Sequence, residues 1–492
     1  MNNKRAFKTD ESFLEKISIG AIGTKKVYQD LVNRGHFPIE LERGSTSFKI
    51  WKEIKIKRVR VPDILCINCG TRVESRAKTK LEMSMSHSLS NQERGWDFGL
   101  QDTDFVALVK CVKTGDRPID WLAYDLIQYL PVSELRKAFN EGKVTSEKPK
   151  GATEGFEVRL TWPSAIANSD GVISNINEEK IQFKRVKDNR IVTLKLVKKI
   201  NDTNVRLSPT VKLDEQIRES QIIACISPVF REFGCNKDHN DKNYIEMLNS
   251  PSLSERYAAA KALPYFESKD SIADLIEKMN DEREHIYIRL EAASSLLKMG
   301  QRNSISFFEK VLNDSYLANR LECVIILSEI NRDESCDLLV KTLLDKNQHP
   351  EIRAGAAWSL GELGNKQALD ALVNVFNDVE INIKIEAARA LVKLNDSFAK
   401  EVMKFILKSN EQQRAGISWS LSKSGNFSIP DLLPLMIDDD ARKWIAWIIG
   451  TQKEERYINQ IEELKNKDAE VYFAVTVLWK ILSSWINGLE VY

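Results

Sequence analysis

Four charged residues in the amino-terminal part of the chain have side chains suited to phosphate chemistry: Asp63, Glu74, Arg76 and Lys78. Carboxylate oxygens are the ligands that Mg²⁺ prefers, and a bound divalent metal polarises a phosphate and acidifies its bound water. The segment TRVESRAK (71–78) alternates as a strand does, which places Glu74, Arg76 and Lys78 on one face. A solvent-facing strand with salt bridges to its neighbours would produce the same pattern, so both interpretations stand at this point.

The surrounding segments predict a small α/β domain that would position these residues. IGAIGTKKVYQDLVNRGH has apolar residues at helical spacing and ends after Gly35, which predicts a helix. The following segments alternate or are apolar as strands are, with a turn at Asn68-Cys69-Gly70. These predicted strands are FPIELE, FKIWKEIKIKRVRVPDILCI, TRVESRAK and DFVALVKC.

This order of helix, strand, hairpin and later strand, with Asp63 directly after Pro62, resembles the PD-(D/E)XK nuclease superfamily over residues 18–111. The resemblance implies an acid on each of two adjacent strands that together hold Mg²⁺ or Mn²⁺, here Asp63 and Glu74. Glu42, and with less weight Glu40, would add a third acid from the first strand.

The family has a lysine two residues after its second acid, and this chain has Arg76 there, with Lys78 two residues further on. Because arginine stays protonated, Arg76 is a poor general base but can stabilise charge on a phosphate. The resemblance therefore implies Asp63, Glu74, Arg76 and Lys78 as catalytic residues, with water activated by the metal or by Lys78.

The charges are distributed unevenly along the chain, although the net charge is only +1. Residues 1–80 contain 18 Lys and Arg against 9 Asp and Glu, whereas residues 241–492 contain 31 against 39. This asymmetry predicts that the amino-terminal part binds a polyanion, most simply DNA, and that the acidic carboxy-terminal part binds a protein. The predicted phosphate contacts are Lys52, Lys55, Lys57, Arg58, Arg60, Lys78 and Lys80.

The seven cysteines are scattered and odd in number, which favours reduced thiols over a disulfide framework. Cys66 and Cys69 form a C-x₂-C pair, and Cys235 with His239 has C-x₃-H spacing. Zinc needs four such ligands, so a site would form only if the middle of the chain folds back onto the hairpin. Otherwise these are ordinary thiols at a turn. Without a leader or a long apolar run, we expect a cytoplasmic protein that does not span a membrane.

The carboxy-terminal half repeats a basic residue followed by small and apolar residues, at spacings of 33, 31, 33, 31, 30 and 28 residues. The repeated residues are Arg256, Arg289, Arg320, Arg353, Lys384, Arg414 and Arg442. Two helices per repeat cannot bury their apolar faces alone, so neighbouring repeats must stack into a solenoid. The string EIRAGAAWSLGELGNKQALDALVNVF resembles the HEAT-like repeats of phycobilisome lyases, which implies a scaffold.

The repeated basic residues are expected to donate hydrogen bonds at helix ends rather than to contact a ligand. Trp358, Trp419 and Trp447 each lie five residues after the repeated arginine. Apolar residues at helical period are normally buried, so we expect these rings to fill the seam between layers. The alternative is an aromatic stripe that contacts bases or a partner.

These patterns predict a multidomain protein with three parts: a nuclease-like α/β domain (1–140), a β-rich barrel or sandwich that acts as a connector (155–235) and an all-α HEAT-like solenoid (241–492). Residues 141–154 are expected to be a linker, and residues 84–88 part of a loop over the cleft. The predicted function is a metal-dependent DNA endonuclease of a microbial restriction or defence system, with a solenoid that binds or regulates. The alternative is a non-catalytic HEAT-repeat scaffold or nucleic-acid-binding assembly factor.

Overall fold

The computed structural model describes residues 10–45, 53–54, 59–148, 157–452, 457 and 460–489. By packing, the chain forms two compact units, Met1–Ile50 with Arg58–Asp274 and Trp51–Lys57 with Leu275–Tyr492. The division into three domains at 1–140, 155–235 and 241–492 stays a prediction. Among the described helices, none has both the length and the hydropathy needed to cross a lipid bilayer.

The first unit is organised around a five-stranded sheet with the order β1-β2-β3-β5-β6. Strands β3 and β5 are parallel and the other neighbours are antiparallel. The sheet follows helix α1 (Asp10–Asn33) and consists of β1 (Pro38–Glu40), β2 (Ile64–Cys66), β3 (Arg72–Lys78), β5 (Phe105–Lys113) and β6 (Trp121–Pro131). The predicted helix, turn and later strand are thus present.

Helix α1 covers one face of this sheet. Its buried Val27 and Leu31 pack in a core with Val73 of β3 and Ala107 of β5. The contact is so close at Gly23 that a Cβ atom there would lie 2.4 Å from the Cβ of Ala77. Because side chains alternate along a strand, this packing turns residues 74, 76 and 78 of β3 to the opposite face.

A second, three-stranded sheet contributes to the core on that opposite face. It has the order β4-β8-β7, with β4 (Ser84–Ser88), β7 (Thr145–Glu147) and β8 (Glu157–Thr161). Met83 and Met85 beside and within β4 share a core with Val106 and Leu108 of β5. The prediction of a loop at 84–88 was therefore wrong, and part of the predicted linker is strand β7, because both segments pair with β8.

The prediction of a long strand from 48 to 67 was also wrong for most of the residues that the structure describes there. Residues 53–54 and 59–63 are not in a strand, and β2 has only three residues because its partner β1 has only three. Lys52, Lys55, Lys57 and Arg58 lie outside the described residues.

The middle of the chain is rich in strands, as predicted, and they form three further small sheets. The sheet orders are β12-β11-β10-β16, β13-β14 and β15-β17-β9. Ile173, Ile181 and Phe183 form part of their shared core. The strands are β9 (Ser164–Ile166), β10 (Gly171–Ile176), β11 (Lys180–Arg185), β12 (Ile191–Lys195), β13 (Val197–Ile200), β14 (Thr203–Arg206), β15 (Ser208–Pro209), β16 (Gln216–Ile217) and β17 (Ile222–Cys225).

Helix α2 (Val132–Asn140) directly follows β6, and the carboxy-terminal half is helical, as predicted. Its helices are α3 (Asp241–Met247), α4 (Leu253–Ala262), α5 (Ile272–Asn280), α6 (Ile286–Lys298), α7 (Ile305–Val311), α8 (Leu317–Leu327), α9 (Asp333–Leu344), α10 (Pro350–Leu363), α11 (Leu369–Asn374), α12 (Ile381–Phe405), α13 (Glu411–Ser424), α14 (Ile429–Leu432), α15 (Asp439–Gly450), α16 (Ile461–Lys467) and α17 (Ala469–Leu489). Helix α12 is kinked at Phe398.

The repeated arginine is a helix-end donor, as the sequence predicted. In several repeats its Nε donates to a carbonyl near the end of the preceding helical segment, at 2.9 to 3.1 Å. These pairs are Arg289 with Met279, Arg353 with Leu343, Arg414 with Ile406 and Arg442 with Met436. Each guanidinium satisfies a carbonyl that the helix itself leaves unpaired.

Arg353 also forms an ion pair with Asp378 at 2.5 Å, and both side chains are more than nine-tenths buried. Removing one partner of a buried pair leaves an uncompensated charge, so we expect Arg353→Met to lower the free energy of unfolding by about 3 kcal/mol. Urea denaturation followed by circular dichroism measures this change. The control is Arg302→Met, because the Arg302 side chain is 81% exposed and pairs with Glu334 at the surface. Equal losses in the two variants would contradict the prediction.

Candidate functional site

Asp63 lies between β1 and β3, immediately before β2. Its backbone carbonyl accepts hydrogen bonds from the N–H groups of Leu41 (2.7 Å) and Glu42 (3.3 Å). Its carboxylate Oδ2 accepts from the backbone N–H of Ser75 at 2.7 Å. Asp63 therefore connects the segment after β1 to the centre of β3, and it brings the acids of three adjacent segments to one region.

The carboxyl of Asp63 is strongly perturbed. Burial raises its pKa well above the usual range, and the negative charges of Glu74 and Glu42 raise it further. The Ser75 N–H and Arg76 act in the opposite direction but with less effect. A buried carboxyl whose pKa is raised by nearby acids marks a candidate functional site, and a bound cation would relieve the repulsion.

The acids are near one another but do not form a compact set of ligand atoms. Within the described residues, the one group of three or more histidine, cysteine or acidic ligand atoms that all lie within 4.8 Å of one another is elsewhere. The Oε1 atom of Glu74 instead pairs with Arg76 at 2.9 Å, and the Glu74 side chain is only 13% exposed. Arg76 thus neutralises one of the proposed metal ligands.

Lys78 lies on the same strand face as Glu74 and Arg76, but its ammonium group is bonded to β4. The Nζ atom donates to the backbone carbonyl of Ser84 and, at 2.8 Å, to the Ser84 hydroxyl. Burial first, then the nearby positive charges of Arg159 and Arg76, lowers the pKa of Lys78 to about 8. At neutral pH a fraction of this side chain is therefore uncharged, as proton transfer would require.

The other predicted site residues are more peripheral. Glu40 ends β1 and its Oε1 accepts from the Ser45 hydroxyl at 3.3 Å. Arg60 and Lys80 are exposed, as phosphate contacts would need to be. The remaining predicted phosphate contacts, at 52, 55, 57 and 58, fall on residues that the structure does not describe.

A polar cavity of about 370 Å³ lies beside the Lys78 environment, and sequence reasoning missed it. Arg159 links the two, because its guanidinium pairs with Glu82 and donates to the Ser84 hydroxyl at 3.0 Å. Lys198 lines the cavity and donates to the Ser164 carbonyl at 2.6 Å. These residues come together only because β8 pairs with β4, a contact that no local pattern predicts.

Cys66 ends β2 and Cys69 lies in the turn between β2 and β3, but the histidine near them is not the one that the C-x₃-H spacing suggested. His239 does not join the cluster of ligand atoms; its ring lies over Gly70 and its Nδ1 pairs with Asp238 at 2.9 Å. The cluster contains His36 instead, with Cys66, Cys69 and Cys235. The sequence could have indicated His36. If β1 pairs with β2, His36, two residues before β1, lies close to the turn that follows Cys66.

Comparison with known protein families identifies the helical region. Residues 242–319 and 305–392 match the model of the HEAT repeats family. Residues 242–392 are HEAT repeats. This agrees with the helix pairs of the structure and with the arginine contacts that recur through them.

A curated relative is similar over a limited stretch of the chain. The deoxyhypusine hydroxylase of Rattus norvegicus is 26% identical over 103 residues, which cover 21% of this chain and 34% of the hydroxylase. This chain therefore matches about one third of the length of that relative.

Solved structures with low overall similarity include the complex of CpcE and CpcF of phycocyanin lyase from Nostoc sp. PCC7120. It is 18% identical, with 51% of this chain and 100% of that chain covered and a TM-score of 0.26. Human deoxyhypusine hydroxylase in complex with glycerol is 14% identical, with 42% and 82% covered and a TM-score of 0.22. Similarities at this level say nothing about activity.

The helical array that continues from these HEAT repeats has an open groove of about 440 Å³ between α12 and α13. Trp419 lines it and is 40% exposed, so the prediction that this ring fills the seam between layers was wrong. Trp358 and Trp447 are half-buried. Gly416, in the same turn of α13, lies directly against the Phe376 ring, which also lines the groove.

The environment of Asp63 leads to a pH-dependent prediction. Because the pKa of Asp63 is higher in the folded chain than its ordinary 3.8, the folded state binds more protons, and stability falls as pH rises from about 4 through the folded pKa. Asp63→Asn keeps an oxygen that accepts from Ser75 and removes the charge. We expect it to unfold at a higher temperature than the natural chain at pH 7, with the difference shrinking towards pH 4.

Thermal melts monitored by circular dichroism from pH 4 to pH 8 measure this difference. Asp102→Asn is the matched control, since the Asp102 side chain is 69% exposed and pairs with Arg136. If Asp63→Asn were less stable than the natural chain at every pH, the charge of Asp63 would stabilise the fold rather than serve to bind a cation.

Proposed function

We propose that this chain is a HEAT-repeat scaffold that binds a protein segment in the groove between α12 and α13. The observation that carries the proposal is an apolar groove that lies open on a repeat array. Ile385 is 41% exposed and Trp419 is 40% exposed, and both line it. Partly exposed tryptophan in a pocket is the type of residue on which binding energy concentrates at protein interfaces.

The charges around the groove indicate the chemistry of the partner. Lys384 and Arg389 both line it, whereas residues 241–492 as a whole carry an excess of acidic residues. The Arg389 side chain is 60% exposed and pairs with Glu386, and Lys384 donates to the Gln412 amide oxygen at 3.2 Å. The expected ligand is therefore a peptide segment with a large apolar side chain close to an Asp or Glu.

A peptide library displayed on phage and selected on the full chain tests this function. We expect selected peptides to combine an apolar residue with a nearby acid, and Trp419→Ala to weaken their binding by at least about tenfold. A charge reversal, Lys384→Glu, should weaken binding of the same peptides. The control is Phe473→Ala, because Phe473 is 69% exposed outside the groove. Selected peptides that bind Trp419→Ala normally would contradict the proposal.

A second candidate, a metal-dependent nuclease in the amino-terminal unit, is favoured by the convergence of Glu42, Asp63 and Glu74. The order of the helix and strands, in which β5 lies parallel to the hairpin strand β3, is compatible with the nuclease resemblance. Asp63, Glu74 and Glu42 would hold Mg²⁺ or Mn²⁺, which would supply an activated water. Lys78 would take or give a proton, and Arg76 would leave Glu74 for the phosphate.

Two contacts favour the non-catalytic function instead. The Arg76–Glu74 ion pair removes charge from the site, and the hydrogen bonds to Ser84 hold the Lys78 ammonium group at β4. The same unit could then bind nucleic acid through exposed cations such as Arg60 and Lys80 without cutting it.

Incubation of the full chain with supercoiled plasmid, with Mg²⁺ or Mn²⁺, separates the two candidates. A nuclease should nick or linearise the plasmid, and Asp63→Asn should lower the rate by at least about a hundredfold while Asp102→Asn leaves it unchanged. Cleavage that persists in Asp63→Asn would come from a contaminant. Intact plasmid with every metal would leave the scaffold as the function of the chain.

A further inference from the structure

Four side chains from three distant segments meet beside the turn between β2 and β3. The Nδ1 or Nε2 atom of His36 and the Sγ atoms of Cys66, Cys69 and Cys235 all lie within 4.8 Å of one another. His36 follows α1, Cys66 ends β2, Cys69 lies in the turn after it, and Cys235 lies after β17. From this arrangement we propose that His36, Cys66, Cys69 and Cys235 form a structural zinc site.

The distances fit tetrahedral zinc. With Zn–S bonds of about 2.3 Å and Zn–N bonds of about 2.0–2.1 Å, two ligand atoms of a tetrahedron are about 3.5–3.8 Å apart. The Sγ atoms of Cys66 and Cys235 are 3.8 Å apart, and Cys69 Sγ is 3.4 Å from His36 Nδ1. Three cysteines and one histidine are a ligand set of structural zinc sites, in which no position is left for substrate.

The turn itself has the backbone geometry that a thiolate pair requires. Gly70 has a φ of +66°, and its N–H donates to the Cys66 carbonyl at 2.9 Å, which closes the turn. The turn thus holds the Cys66 and Cys69 thiols close enough for both to bind one ion.

His36 is difficult to explain as a residue kept for packing alone. It is 6% exposed, and within the described part of the chain its Nε2 atom has no hydrogen-bond partner. Its Nδ1 atom faces the Cys69 Sγ atom at 3.4 Å, so the lone pair on that nitrogen lies where a metal ion held by the thiolates would accept it. The ring is oriented by Phe233, which packs edge-on at 5.2 Å.

Cys235 is brought to the turn by contacts that do not involve the metal. The His239 N–H donates to the Asn68 carbonyl at 3.0 Å, and the Tyr244 hydroxyl donates to the Ile67 carbonyl at 2.9 Å. The segment around Cys235 is thus held against the turn on its carboxy-terminal side. The zinc ion would fasten this segment to the β2–β3 hairpin, which Asp63 directly precedes and in which Glu74 lies.

The test is the metal content of the full chain, purified without a metal-affinity step. Inductively coupled plasma mass spectrometry should find about one zinc per chain. The cobalt-substituted protein should have the visible spectrum of tetrahedral thiolate coordination. Cys235→Ser should weaken zinc binding by at least about tenfold. Cys336→Ser removes a buried cysteine outside the cluster and should leave the metal in place.

Two histidine variants identify the fourth ligand. His36→Cys keeps four ligands, so it should remain folded and loaded with zinc but change the cobalt spectrum, whereas a histidine with a packing role would leave that spectrum unchanged. His239→Asn should leave both zinc and spectrum unaltered. A chain without zinc and without cobalt–thiolate bands, a Cys66–Cys235 disulfide in the reduced preparation, or loss of metal in His239→Asn alone would each overturn the proposal.

Discussion

The position of strand β3 between β2 and β5 is the constraint on which the first unit depends. Its start is fixed by Arg72, whose guanidinium makes two hydrogen bonds to the Asp104 carboxylate, at 2.9 and 2.7 Å, with both side chains almost fully buried. Its centre is fixed by the bond from the Ser75 N–H to Asp63. Because both ends of this contact pattern hold the strand, its register is fixed. A shift by one residue would exchange the side chains on its two faces.

This constraint explains why a polar site exists inside the unit. One face of β3 is occupied by α1, so Glu74, Arg76 and Lys78 must lie on the face that shares a core with β4 and β8. Charged groups in such a position are costly unless they are paired. The Arg76–Glu74 pair and the bonds from Lys78 to Ser84 offset that cost, and Asp63 is left with a raised pKa. The same contacts that stabilise the fold therefore also decide how freely the acids could bind a metal.

The helical array is stabilised by a hydrogen bond that recurs from repeat to repeat. In several repeats a helix end leaves carbonyls unpaired, and an arginine from the next helix satisfies one of them. Because Arg353 also pairs with Asp378, the arginine links successive repeats as well as neighbouring helices. Trp419 does not fill the seam between repeats, and its ring lines a groove instead.

Local pattern alone determined the parts of this protein that depend on neighbours in the chain. The helical repeats, the arginine at each helix end, the β3 alternation and the glycine turn at Cys69-Gly70 follow from spacing, because their partners are near in sequence or recur at a fixed period. The tertiary structure decided what distant segments bring together. The pairing of β4 with β8 brought Arg159 to Ser84, beside Lys78 and the adjacent cavity. The short β1–β2 pair placed His36, rather than His239, in the cluster with Cys66, Cys69 and Cys235. A single sequence carries no record of which distant residues meet, since those contacts are set by how the buried surfaces fit once the chain has folded.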